Sequence, residues 1–234
     1  ISGRRTYADL FLMASSNEQL KNSKLYFYDL NTKMNFSPTE KDRIMISGYF
    51  GDDVLKYTGW MSWSWGNRTG SMRWNHIFNE KLFANFTSVY SNFNYSLGSE
   101  TGPAPFTWKS NIQDISEKSD FTYFINDRHT LDFGMATTLH KINPGYVSVV
   151  NDSTTKELKM DHKTALESAL YVSSDITVSE KLSVQAGIRY TIFQNIGGRA
   201  YSNWGINGKP MDTLTYRSTE ITNTYRGIEP RLSM

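Results

Sequence analysis

The sequence predicts an all-β fold: an antiparallel up-and-down meander that builds part of a transmembrane β-barrel. Three observations carry that reading. Apolar and polar residues alternate over stretches of about a dozen positions, roughly twice the length of strands in water-soluble domains. Connections between the stretches alternate short and long, as the periplasmic turns and outer loops of a barrel do. Rings supply the grease, with 14 Tyr, 13 Phe and 6 Trp in 234 residues, and no window approaches the ~20 consecutive apolar residues of a spanning helix.

From Lys24 the first element sets Tyr26, Tyr28, Leu30, Thr32, Met34 and Phe36 on one face and Asp29, Asn31, Lys33 and Asn35 on the other. "SPTEKD" turns the chain, with Pro38 and Asp42 as breakers. The return strand alternates Ile44, Ile46, Gly48 and Phe50 with Arg43, Met45, Ser47 and Tyr49. "GDDVLKYTGWMSWSWG" reads as a longer connection. After it Asn67, Thr69, Ser71, Arg73 and Asn75 alternate with Arg68, Gly70, Met72, Trp74 and His76. "NEK" at 79–81 is a tight turn into a strand over 82–97, whose lipid side the pattern leaves open.

The Gly- and Pro-rich "GSETGPAP" precedes a strand over 110–125, with Asp114, Ser116, Lys118, Asp120 and Thr122 opposing Ile115, Phe121, Tyr123 and Ile125. "NDR" turns the chain into the cleanest alternation: His129, Leu131, Phe133, Met135, Thr137 and Leu139 against Thr130, Asp132, Gly134, Ala136 and Thr138. A long polar loop, "NPGYVSVVNDSTTKELKMDHK", leads to 164–176, where Leu166, Leu170 and Val172 oppose Glu167, Tyr171 and Asp175. "SEK" turns into 182–193, where Leu182, Val184, Ala186, Ile188 and Tyr190 oppose Ser183, Gln185, Gly187 and Arg189. The longest loop, 194–225, precedes a last partial strand.

The mean hydropathy of -0.51 does not argue against a membrane, because alternating faces average to a low value. A net charge of +2, from 25 basic and 23 acidic residues without long blocks, offers no nucleic-acid stripe. With Cys 0 there is no disulfide framework and no thiolate metal site. The chain opens at Ile1 without a secretory signal and stops at Met234 as an alternating run begins, so both ends read as cut.

"SGRRTYADLF", "LYFYDLNTKMNF", "KDRIMISGYFGDD", "WGNRTGSMRWNHIF", "ALESALYVSSDITVSEKLSVQAGIRY" and "IEPRLSM", in that order, resemble the barrel of TonB-dependent receptors of the Bacteroidetes type. The resemblance implies the outer membrane of a Gram-negative bacterium, a 22-stranded barrel and an N-terminal plug. It implies energising by a TonB complex through a short box segment. Residues 1–234 then correspond to one barrel segment of about 8 to 10 strands, a middle slice without the plug, the TonB box or the final strands. Its partners are outer-membrane lipid, the TonB complex through those other parts and, as an optional addition, a surface lipoprotein.

Candidate chemistry is sparse. His76, His129, His140 and His162 lack the close spacing of a metal site, and His129 and His140 are expected to open and close a strand near the two membrane interfaces. Asp52 with Asp53, and Asp114 with Asp120, could supply paired carboxylates, but a water-filled barrel interior accounts for them. No nucleophile elbow or phosphate loop occurs, so neither an enzyme nor a cofactor is expected. The Asn-x-Ser/Thr triplets at Asn67, Asn85, Asn94 and Asn151 read as chance. Trp60, Trp63, Trp65 and Trp74 form either an interfacial girdle, the preferred reading, or a stacking platform for a ring-bearing ligand. Asn67, Thr69, Ser71, Arg73 and Asn75 are candidate lumen-facing polar residues for plug or solute.

Uptake of a scarce solute is the leading function. The alternative is a soluble all-β sandwich that binds or adheres, with its apolar faces packed against each other.

Overall fold

The computed structural model describes residues 1–99, 101, 105–151, 154–197, 200–204, 210–215, 217 and 219–234. The first strands are β1 (Ser2–Arg5), β2 (Lys24–Thr39), β3 (Asp42–Tyr57), β4 (Met61–Asn79), β5 (Leu82–Ser99), β6 (Phe106–Asn126) and β7 (His129–Asn151). They are followed by β8 (Thr154–Lys159), β9 (Lys163–Ser179), β10 (Leu182–Ile196), β11 (Ala200–Trp204), β12 (Pro210–Thr215) and β13 (Ile221–Ser233). Two short helices, α1 (Ala8–Met13) and α2 (Glu18–Lys21), lie between β1 and β2.

All strands except β11 and β12 join one 11-stranded sheet, and they do so in chain order. Every pairing is antiparallel. β8 caps the far end of β7, β9 pairs with the rest of β7, and β13 pairs with β10. Strands β11 and β12 form a separate two-stranded hairpin. This is an up-and-down meander with no crossover, the connectivity of a barrel wall.

A single phase runs through the sheet. Phe36, Ile44, Trp74 and Phe86 lie opposite one another across β2 to β5. Phe121, Phe133, Val172 and Ile188 do the same across β6, β7, β9 and β10. The other face carries Asn35, Met45, Arg73, Thr87 and Lys118 in one row. Polar groups there bond across the strands: Ser47 Oγ to Ser71 Oγ at 2.7 Å, and Thr122 Oγ1 donating to Asp132 Oδ1 at 2.6 Å.

In β5 the register settles the open assignment, with Leu82, Ala84 and Phe86 on the greasy face and Phe83, Asn85 and Thr87 on the polar one. One row breaks the greasy face. Ser88, Glu117, Thr137 and Ser168 are paired across β5, β6, β7 and β9, and Ser88 Oγ donates to Glu117 Oε2 at 2.6 Å.

Among the described residues the buried hydrophobic side chains are Ala84, Ala165 and Ala169 alone. A sandwich needs a second sheet facing the first to bury such a greasy surface. Here Phe36, Met72, Met135 and Ile188 stay exposed on one continuous layer, which fits a face solvated by hydrocarbon.

The strands are longer than the alternation indicates. Residues 51–66, expected as a connection, belong to β3 and β4, and only 58–60 turn. Most of the expected loop 143–163 extends β7 and forms β8. In 194–225, β10 runs on to Ile196, β11 and β12 are strands and β13 starts at Ile221. Pro38 falls inside β2, leaving 40–41 as the turn. At the long-connection end the cause is common: beyond the greasy band neither face must be greasy, and the period-two signal fades while the hydrogen-bonded ladder continues.

Candidate functional site

The long-connection end of the sheet carries a group of rings on the polar face. In β4 the residues Trp63 and Trp65 share the phase of Asn67, Thr69, Ser71, Arg73 and Asn75, with no register shift between them against β3. Their indoles meet edge to face at 5.8 Å, Trp63 meets Tyr95 of β5 at 6.3 Å, and Tyr95 meets Trp108 of β6 at 6.5 Å. These edge-to-face contacts leave ring faces available, and Trp63 and Trp65 are each 38% exposed.

Local backbone chemistry positions Trp108. β6 and β7 slip register between Lys109 and Asn111, a bulge that places Pro144 and Gly145 opposite Ser110. Gly145 adopts φ 129°, a conformation that strains any residue with a Cβ. A Cβ there would stand 2.0 Å from Trp108 Nε1, so the glycine both turns the strand and makes room for the indole. Trp108 Nε1 donates to Pro144 O at 3.2 Å.

Trp60 sits in the β3–β4 turn, its ring 6.1 Å from Tyr57 and 61% exposed. The helical segment braces this turn. Thr58 Oγ1 donates to Asn22 O at 2.6 Å, and Ser23 Oγ accepts from Thr58 N at 3.1 Å.

Trp74 stands apart from the others. It lies on the greasy face near the short turns, 5.1 Å from Phe86, with Nε1 donating to Asp42 Oδ1 at 2.9 Å. Phe86 meets Phe121 at 5.9 Å and Phe121 stacks on Phe133 at 5.2 Å. That band of rings with one polar handle has the composition of an interfacial girdle. The pairing thus divides the four tryptophans into one on the greasy face near the short turns, a turn residue and two on the polar face.

Below the rings the inner face is polar and tied together. Thr69 Oγ1 donates to Asn67 Oδ1 at 3.3 Å, Arg73 Nε to Thr87 Oγ1 at 3.3 Å, and Asn75 Nδ2 to Asn85 Oδ1 at 3.0 Å. Further round, Tyr171 Oη donates to Asp120, Lys118 pairs with Asp120 at 2.8 Å, and Arg189 Cζ lies 5.7 Å from the Tyr171 ring centre. The Tyr171 ring lies over Gly134, where a Cβ would meet Tyr171 Oη at 2.6 Å.

The expected sites for other chemistry do not converge. Asp52 and Asp53 are neighbours in β3 and so point to opposite faces. Asp114 and Asp120 share a face but lie about 20 Å apart along β6, with separate partners, His140 and Tyr171. His140 is not at a strand end, as expected, but within β7 on the inner face, its Nδ1 2.8 Å from Asp114 Oδ1. His76 Nδ1 lies 2.6 Å from Asp42 Oδ1 and His129 Nε2 2.6 Å from Ser174 Oγ. Among the described residues no three His, Cys, Asp or Glu are grouped to hold a metal.

Tyr95, Trp108, Tyr171 and Arg189 complete the inner face without having been singled out from sequence. Carrying the phase of Asn85 and Thr87 up to Tyr95 would have found the first. Carrying the phase of Asp114 and Ser116 back along β6 would have found Trp108, since β5 and β6 pair without a register shift.

No protein-family model matches the chain, and no curated protein matches it in sequence. Among solved structures the fold is that of TonB-dependent outer-membrane receptors. "Copper transporter OprC" superposes with a TM-score of 0.67 at 13% identity, over 90% of this chain and 34% of that one. Ferric citrate transporter FecA gives 0.64 at 13% identity, over 91% and 34%. BauA, the ferric preacinetobactin receptor from Acinetobacter baumannii, gives 0.59 at 10% identity, over 88% and 36%. The chain therefore spans about a third of the length of these proteins, and at such identities the likeness is one of fold.

Proposed function

We propose that this chain is a sector of the wall of an outer-membrane transporter that takes up a scarce solute. The observation that carries the reading is the 11-stranded sheet with one greasy and one polar face, whose buried apolar side chains among the described residues are three alanines. A chain built this way has its apolar face in lipid and its polar face toward a lumen. The aromatic group of Trp63, Trp65, Tyr95 and Trp108 is the surface a ring-bearing or sugar-like solute would meet on entering from outside. Energy coupling to a TonB complex would run through other parts of the full-length protein, and 22 strands is the closure number that the resemblance supplies. Fractionation tests the reading. The full-length protein is expected in the outer membrane as a barrel whose gel mobility changes on heating, and a freely soluble, detergent-independent product overturns it.

A further inference from the structure

At the long-connection end the polar face is greasier than a water-filled lumen needs. One row of direct partners, Leu25, Leu55, Trp63, Leu97, Trp108 and Val147, crosses β2 to β7 as hydrocarbon and indole alone. Leu25, Leu55 and Trp63 in it are exposed. A continuous apolar ledge of this kind marks a surface that binds something.

The row two residues nearer the short turns holds Phe27, Asp53, Trp65 and Tyr95 across β2 to β5. Asp53 is its one carboxylate, and Phe27 and Trp65 are its direct partners on either side, a spacing of about 5 Å between Cβ atoms. Asp53 makes no hydrogen bond or ion pair among the described residues. Arg4, the cation whose field reaches it, is paired with Asp29 and lies 5.3 Å from the Phe27 ring centre. From the Asp29 row up to the turn at 58–60, this face of β1 to β5 therefore carries one cation, Arg4, against two carboxylates, Asp29 and Asp53.

A carboxylate without a partner, set between aromatic side chains and below an apolar row, suits an organic cation. The rings attract positive charge through their quadrupoles, and the carboxylate neutralises it with charge-assisted hydrogen bonds. Sugar hydroxyls need acceptors as well as donors, and the six-residue row offers no side-chain acceptor. An anion would meet the charge of Asp53. A mostly apolar site with one placed charge fixes both the body and the orientation of what it binds.

We propose that the solute is an organic cation, an ammonium or guanidinium group on an apolar or aromatic body. Asp53 holds the charge, and Phe27, Trp63, Trp65 and the leucines of the row take the body. The proposal deepens the uptake reading and rests on it, since the polar face must line a lumen that the solute enters.

The test uses full-length protein in detergent and equilibrium dialysis with three probes that share an indole body: tryptamine, uncharged N-acetyltryptamine and anionic indole-3-propionate. Maltose serves as the sugar probe. Wild type should bind tryptamine roughly tenfold more tightly than either other indole. Asp53→Asn should erase that preference by weakening tryptamine roughly tenfold while N-acetyltryptamine binds as before, and heat-shifted gel mobility shows that the barrel is intact. Should Asp53→Asn not fold, the wild-type preference carries the test and should shrink in high salt. Tryptamine bound no better than indole-3-propionate, or as tightly by folded Asp53→Asn as by wild type, overturns the proposal, as does a protein that binds none of the indoles. Binding of maltose alone overturns the cation and spares the uptake reading. That reading fails separately, as a protein that never enters the membrane fraction.

Discussion

Trp63 and Trp74 lie on one strand, β4, and point to opposite faces of the sheet. Two indoles that composition cannot tell apart therefore lie on faces of opposite character, and their loss should have different signatures. Trp63→Ala together with Trp65→Ala should lower solute binding or uptake by roughly tenfold or more, as removal of a central aromatic anchor does, with outer-membrane abundance unchanged. Trp74→Ala should leave uptake per folded barrel intact and lower barrel stability by about 1 kcal/mol through lost ring contacts. Uptake normalised to folded protein, beside denaturant unfolding in detergent, separates the two. Identical effects would remove the inward assignment of Trp63.

Gly145→Ala is expected to act through Trp108. The added carbon meets the indole and forces φ 129° on an alanine, at a stability cost of about 1–3 kcal/mol. If Trp108 belongs to the binding wall, the variant should reproduce the binding defect of Trp108→Ala while the barrel still folds. Binding equal to wild type in both variants would take Trp108 out of the site.

Glu117 is a carboxylate on the greasy face of the sheet, held by Ser88 at 2.6 Å. Charge on a lipid face destabilises a barrel in a depth-dependent way. Glu117→Leu should therefore stabilise the folded barrel by about 1 kcal/mol in a bilayer, read as a higher denaturant midpoint in liposomes. A lower midpoint would mean that this stretch of β6 faces water or another protein.

How much of this was legible in the sequence depended on which solvent each residue meets. Within the greasy band the alternation assigned faces correctly, from Tyr26 to Phe36 and from Leu131 to Leu139, because hydrocarbon on one side and water on the other impose a period of two. Strand 82–97 resisted because Ser88 and Asn92 share the greasy face with Phe86. Above the band the code inverts: Trp63, Trp65 and Tyr95 turn inward, and Asn94 and Asn111 outward. The segment from Gly51 to Gly66 consequently looked like a loop although β3 and β4 pair through all of it but the 58–60 turn. The inward pair of tryptophans was hidden by that break, and the Gly145 bulge by its dependence on a partner strand.

The length of β7 has a consequence for a wall seated in a bilayer. Its 23 residues measure about 75 Å along the strand and nearly 60 Å along a barrel axis at a tilt near 40°. Bilayer hydrocarbon is only about 25 to 30 Å thick. With the greasy face seated in lipid as proposed, about half of β7 would stand clear of the bilayer as a turret that a protease could cut without ever touching a membrane.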